Sequence, residues 1–221
     1  MRAAAVAMLL LSTAATAQAG DRGTIRGSVV VHRARDVPAG PVLVYVVGFA
    51  EKPAATTVEI KQVGRRFLPD LVAVTAGGSV TFPNGDPFLH NVFSPTADRS
   101  FDLGSYRQGE TRTRVFPKPG VLDVYCNIHP EMSATIVILP NTRFAIADAS
   151  GHFELADVPA GTWSVFAYSR RAVKPTTVRV TVEPGKPAEA TLELDEVQRD
   201  FTHKNKYGEK YRETVIYAPG S

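Results

Sequence analysis

One short segment of the sequence gathers side chains that bind soft metal ions. Cys126, His129 and Met132 follow one another at intervals of three residues, and His90 lies upstream in the run FLHNVF. Thiolate, imidazole and thioether groups suit copper, which alternates between a soft Cu(I) and a harder Cu(II). One Cys and two His in a trigonal set, with a weak, long thioether, form the blue-copper arrangement. The spacing therefore predicts one mononuclear copper ion bound by these four residues.

The composition makes this grouping unusual. Cys126 is the single cysteine of the 221-residue chain, and Met132 is the single methionine after residue 8. A lone cysteine in an exported protein is a free thiol, an intermolecular bridge or a metal ligand, and a lone methionine usually fills a gap in a core. The proximity of Cys126 and Met132 in the sequence, with His129 between them, favours the interpretation that these residues are metal ligands. Zinc, which binds Cys and His but rarely Met, is the main alternative metal.

The other three histidines are scattered along the chain. His32, His152 and His203 lie in a polar loop, a turn exit and a charged segment, so all three are predicted to be exposed surface groups. A copper enzyme would need further copper sites, usually built from His-x-His pairs, and the sequence has none. The sequence therefore predicts no enzyme. A copper-delivery protein without electron transfer is the alternative, although one methionine and a three-ligand loop fit it poorly.

The first residues read as an export signal. Arg2 is followed by an apolar run over residues 3–11 and by the small-residue sequence AQA at 17–19. This pattern predicts a signal peptide over residues 1–19, with a retained membrane anchor as the alternative. No later run is long and apolar enough to span a bilayer. The expected location is the periplasm, and a formal charge of only +3 without a basic stripe argues against nucleic acid as a partner.

Short runs rich in β-branched residues alternate with Gly, Pro, Asn and Asp along most of the chain. No stretch keeps a helical period over three turns, so the sequence predicts an all-β protein built from antiparallel sandwiches. A second meander follows over residues 141–194. Residues 196–221 hold five basic and four acidic residues and few aliphatics, which predicts a charged, solvated tail or a wrapping arm without a core of its own.

Residues 55–140 resemble the cupredoxins, with an amicyanin-like ligand loop. The matching pieces are FLP at 67–69, VTAGGSVTFPN at 74–84, HNV at 90–92 and the segment 125–132. The resemblance implies a Greek-key sandwich, one copper bound by His90, Cys126, His129 and Met132, and single-electron exchange with an unidentified redox protein. It also implies that Asn91 ties the two ligand loops together. Glu131, beside the expected axial ligand, departs from the pattern.

Residues 24–50 and 141–195 resemble one transthyretin-like module of the kind found beside carboxypeptidases. The matching pieces are GSV at 27–29, VLVY at 42–45, ADASGHF at 147–153 and DVPAGTW at 157–163. The order of these pieces predicts a discontinuous β-sandwich, with the copper domain inserted after its second strand. With a cupredoxin-like segment and a transthyretin-like module in one chain, the sequence resembles proteins labelled as methylamine-utilisation proteins.

Overall fold

A computed structural model describes residues 21–51 and 55–211 of the protein. These residues form seventeen β-strands, so the all-β prediction is confirmed. Among them, no helix has the length and apolar character needed to cross a membrane. The predicted signal peptide lies outside the described residues.

The strands follow one another from Arg22 to Asp195. In chain order they are β1 (Arg22–His32), β2 (Leu43–Val47), β3 (Thr57–Glu59), β4 (Lys61–Gln62), β5 (Phe67–Leu68), β6 (Leu71–Thr75), β7 (Ser79–Pro83), β8 (His90–Ser94), β9 (Phe101–Tyr106), β10 (Thr111–Val115), β11 (Gly120–Tyr125), β12 (Ser133–Leu139), β13 (Phe144–Ile146), β14 (His152–Pro159), β15 (Gly161–Tyr168), β16 (Thr176–Val182) and β17 (Pro187–Asp195).

The middle of the chain folds into a sandwich of two main sheets. One sheet has the order β10-β7-β3 and the other the order β6-β12-β11-β8-β9, while β4 and β5 form a small ribbon. Strands β7 and β11 alternate partly exposed and buried residues, because one face of each points into the core. That core includes Phe82, Val92 and Ile136, and it also contains Cys126 and Met132.

The first two strands and the last five form a second pair of sheets. Their orders are β14-β1-β17 and β13-β2-β15-β16, and the apolar side chains between them make a separate core. Strand β1 pairs in parallel with β17, so the beginning and the end of this unit lie side by side. The likeness of this unit to transthyretin stays a prediction.

A third apolar cluster joins the two units. It contains Leu43 of β2 together with Leu71, Ala73, Val137 and Leu139. Every residue of β6 and β12 is buried, because one face of each strand packs on the core of the central sandwich and the other on this cluster. A strand covered on both faces has a continuous apolar sequence, which explains the run ATIVIL in β12.

The sequence pattern does not predict strand β9. Its sequence FDLGSY contains Asp102 and Gly104, and both residue types are uncommon in strands. It pairs with β8, and the register shifts between Asn91 and Phe93. Such irregularities are frequent beside functional sites, where they redirect side chains.

Candidate metal centre

Three of the four predicted ligands meet at one end of the central sandwich. His90 begins β8, Cys126 follows the last residue of β11, and His129 lies on the loop to β12. The Cys126 Sγ atom is 3.7 Å from Nδ1 of His90 and 3.6 Å from Nδ1 of His129. The donor atoms of the three residues all lie within 4.8 Å of one another.

The sheet brings the ligands together, although 36 residues separate His90 from Cys126. Strands β8 and β11 are antiparallel neighbours, with Tyr125 opposite Phe93, so the start of β8 lies beside the end of β11. The loop after Cys126 then turns back on itself. The N–H of Cys126 donates to the Met132 carbonyl at 3.2 Å, and the N–H of Met132 donates to the His129 carbonyl at 3.1 Å.

Met132 lies at the closing end of this loop. It is 1% exposed and packs in the same apolar core as Cys126. Its predicted role as the axial ligand, and the ligand roles of His90, Cys126 and His129, stay predictions. Glu131 is exposed and does not belong to the cluster of donor atoms.

A buried carboxylate orients the imidazole of His90. Nε2 of His90 lies 2.8 Å from Oδ2 of Asp86, and both side chains are buried. Because an ionised carboxylate only accepts hydrogen bonds, Nε2 carries the proton and the lone pair is on Nδ1, which faces Cys126. A carboxylate behind the ligating ring is a common way to fix the tautomer of a metal-binding histidine.

Asp86 is itself held by the backbone of a neighbouring turn. The N–H groups of Gly64 and Arg65 donate to its two carboxylate oxygens at 2.7 and 3.0 Å. Burial alone would raise the pKa of Asp86, but these hydrogen bonds and that from His90 outweigh it and keep the pKa below its usual range. Asp86 is therefore ionised at neutral pH. In the sequence, the one signal for Asp86 is its spacing of four residues from His90.

Asn91 connects the two ligand loops, as the cupredoxin resemblance implied. Its Oδ1 accepts a hydrogen bond of 3.3 Å from the N–H of Asn127, the residue after Cys126. Its Nδ2 donates to Oδ1 of Asp102 at 2.7 Å. Asn91, which follows His90, therefore holds the backbone of Asn127, which follows Cys126.

Burial controls the protonation of the remaining donors. It raises the pKa of the Cys126 thiol, and it lowers the pKa of His129, an effect to which the neighbouring His90 adds. Without a cation the site therefore favours a neutral thiol at Cys126 and a neutral imidazole at His129. A cation that binds must displace the thiol proton, because the thiolate is the form that ligates metals.

The donor set fits a single soft or borderline metal ion. Metal bonds of about 2.0 Å to imidazole and about 2.3 Å to thiolate, the lengths known for zinc, together exceed the separations of 3.7 and 3.6 Å between the Cys126 sulfur and the two histidine nitrogens, so one ion can bridge the sulfur to either imidazole. Two imidazoles and one thiolate are the equatorial donors of blue-copper sites. His90, Cys126 and His129 would hold the ion, with Met132 completing the predicted set.

The prediction for His203 was wrong. His32 and His152 are exposed as predicted, but His203 is only partly exposed and its ring lies 4.4 Å from that of Tyr125. Burial also lowers the pKa of His203. The reason is that the residues after 195 pack against the loop at 126–132, as the wrapping-arm alternative for this charged segment predicted.

Comparisons with known proteins relate part of the chain to amicyanin. No family model matches the sequence. Amicyanin-alpha from Methylorubrum extorquens is 31% identical over 91 residues, which are 40% of this chain and 76% of that protein. A purple cupredoxin from Nitrosopumilus maritimus is 22% identical, with 37% of this chain and 99% of that chain covered and a TM-score of 0.34. Amicyanin from Paracoccus versutus is 22% identical, with 43% and 97% covered and a TM-score of 0.36.

Proposed function

The chain belongs to the cupredoxin family through a domain related to amicyanin, and on this basis we propose that it is a blue-copper protein that carries single electrons between redox partners. The observation that carries the proposal is the convergence of the Cys126 thiol with Nδ1 of His90 and of His129. Bound copper would supply the Cu(I)/Cu(II) couple.

The surroundings of the three donors suit a site that does not rearrange. His90 is fixed by Asp86, and the loop from Cys126 to Met132 is closed by backbone hydrogen bonds at both ends. Cys126 and His90 are both fully buried. Donors held in place by their neighbours keep one geometry when the charge of the site changes, which favours fast electron exchange.

His129 is the proposed route for electrons to and from the surface. It is the one partly exposed residue among the three donors, and its ring contacts that of Phe88 at 5.4 Å between centroids. Ile128, which precedes it in the chain, and Leu89, which precedes His90, are 40% and 46% exposed. An apolar surface of this kind suits the small, weak interfaces of redox encounters.

A carrier is favoured over a copper enzyme by the number of clustered donors. In residues 21–51 and 55–211, His90, Cys126 and His129 are the one group of three or more His, Cys, Asp or Glu residues arranged to hold a metal ion. We propose that the protein has no enzymatic activity of its own and acts in the periplasm.

Spectra of the copper-loaded protein test the proposal. The mature chain is mixed with one equivalent of Cu(II), and its visible and electron paramagnetic resonance spectra are compared with those of Cys126→Ser and His129→Ala. We expect an intense thiolate-to-copper band with narrow hyperfine splitting, which is lost in Cys126→Ser and strongly altered in His129→Ala. His152→Ala is the matched control, because His152 is exposed and outside the donor cluster.

Voltammetry separates electron transfer from copper delivery. A reversible one-electron wave that survives repeated cycling without loss of copper supports a carrier. Rapid loss of copper to a weak chelator in both oxidation states would favour delivery. A pale copper complex, or a preference for zinc over copper, would overturn the blue-copper proposal.

A further inference from the structure

We propose that residues 199–211, here called the C-terminal arm, form a strap that holds the metal-binding loop in place, with Lys206 as its positioning residue. The inference rests on the proposed copper site. It concerns a segment beyond the cupredoxin-like residues 55–140, and its basis is a set of contacts between this arm and residues 126–130.

The arm makes three polar contacts along the loop. The hydroxyl of Tyr211 donates to the Cys126 carbonyl at 2.6 Å, and the N–H of Lys206 donates to Oδ1 of Asn127 at 2.7 Å. The N–H of His203 donates to the Pro130 carbonyl at 3.2 Å. The arm therefore binds the loop at its beginning and at its far side.

Lys206 completes a closed ring of hydrogen bonds that joins four residues beside the site. Its Nζ donates to Oδ2 of Asp102 at 2.7 Å, while Oδ1 of Asp102 accepts from Asn91. Asn91 accepts from the N–H of Asn127, and Asn127 accepts from the N–H of Lys206. Two members of this ring, Asn91 and Asn127, directly follow the predicted ligands His90 and Cys126.

Through the hydrogen-bond ring, the partly exposed Lys206 restrains the segments that carry the predicted metal ligands. The side chain of Lys206 is 29% exposed, and an ion pair of this kind contributes little to stability on its own. In the ring, however, Lys206 limits the movement of Asn127 relative to Asn91 and so the separation of the Cys126 and His90 segments. Partners behind metal ligands typically change metal affinity by about 10- to 100-fold when they are removed.

Aromatic packing seats the arm next to Cys126. The ring of His203 lies over Tyr125 with 4.4 Å between centroids, and its centroid is 6.1 Å from that of Phe93. Tyr211 packs edge-on against His203 at 5.4 Å. Tyr125 and Phe93 pair across β11 and β8, so the arm covers the strands that deliver two of the ligands.

Copper release and amide exchange together test the strap. Copper transfer to a chelator is timed for the mature chain, Lys206→Met, Lys206→Arg and Lys204→Met. Lys204 is the matched control, because it lies on the arm and is exposed. Since the lysine side chain is one contact further from the metal than Asn127, we expect release from Lys206→Met to be about threefold to tenfold faster, and Lys206→Arg to stay near wild type.

The second measurement is hydrogen exchange at the amides of Asn127 and Met132 in the metal-free protein. We expect faster exchange in Lys206→Met, and a still larger increase in a chain that ends at Phe201 and so lacks His203, Lys206 and Tyr211. Equal release rates and equal amide exchange in Lys206→Met and Lys204→Met would overturn the strap. If neither wild type nor any variant forms the thiolate–copper band, the proposed function fails. Amide exchange in the metal-free protein then still decides whether the arm restrains the loop.

Discussion

Replacing Asp86 by asparagine changes a single atom of the site and leaves the size of the side chain almost unchanged. The carboxylate accepts three hydrogen bonds, from the N–H groups of Gly64 and Arg65 and from Nε2 of His90. Asparagine has one oxygen in place of two. In either orientation its NH₂ group therefore faces at least one N–H, which loses its acceptor.

The expected loss follows from that single unpaired donor. A fully buried donor without an acceptor costs about 1–3 kcal/mol. Gly64 and Arg65 are exposed residues whose hydrogen bonds to Asp86 are only partly buried, so we expect the free energy of unfolding of metal-free Asp86→Asn to be lower by about 1 kcal/mol, the low end of that range. Copper affinity should fall by about 10-fold, because the imidazole of His90 loses the negative partner that fixes its tautomer and orientation.

Urea denaturation followed by far-ultraviolet circular dichroism measures the first effect, and competition with a copper chelator measures the second. Fluorescence is less suitable here, because the single tryptophan, Trp163, packs in the other sandwich. Asp98→Asn is the control: Asp98 is exposed, and at φ 63° asparagine is well tolerated. A stability and a copper affinity of Asp86→Asn equal to those of Asp98→Asn would refute the reasoning.

Two further changes probe other parts of the molecule. A Cβ atom on Gly27 would lie 1.7 Å from the Ala190 carbonyl oxygen, so Gly27→Ala should lower the free energy of unfolding of the second sandwich by about 3 kcal/mol or more, measured by tryptophan fluorescence. Gly40→Ala, in open space, should change it by less than about 0.5 kcal/mol, and an equal effect of both would contradict the packing. Burial tends to raise the pKa of Asp102, but hydrogen bonds, the first of them from Lys206, outweigh it and lower the pKa. A carboxyl group whose pKa is lower in the folded than in the unfolded protein adds stability, and this stability is lost as the pH falls through the folded pKa. Acid titration below about pH 4 should therefore destabilise wild type more than Asp102→Asn. Parallel acid-unfolding curves of the two proteins would contradict this.

The fold class was predictable because most strands carry their own signal in the sequence. β-Branched residues in short runs, bounded by Gly, Pro, Asn and Asp, predicted most of the strands, and the separate strands in residues 22–47 and 144–195 belong to one pair of sheets. Strand β9 was not predictable in this way, since Asp102 and Gly104 interrupt its apolar pattern. Its place at the edge of the sheet depends on pairing with β8.

The sequence by itself determined the kind of chemistry, because the affinity of thiol, imidazole and thioether groups for soft metals depends on the atoms they carry and not on the fold. The single Cys126 and the spacing to His129 and Met132 were therefore enough to propose copper. Only the tertiary structure decided which groups orient the donors. Asp86 is held by a turn more than twenty residues upstream, and Lys206 reaches Asn127 across 79 residues of sequence. Such contacts come from the pairing of strands and the packing of loops, and neither leaves a local pattern in the sequence.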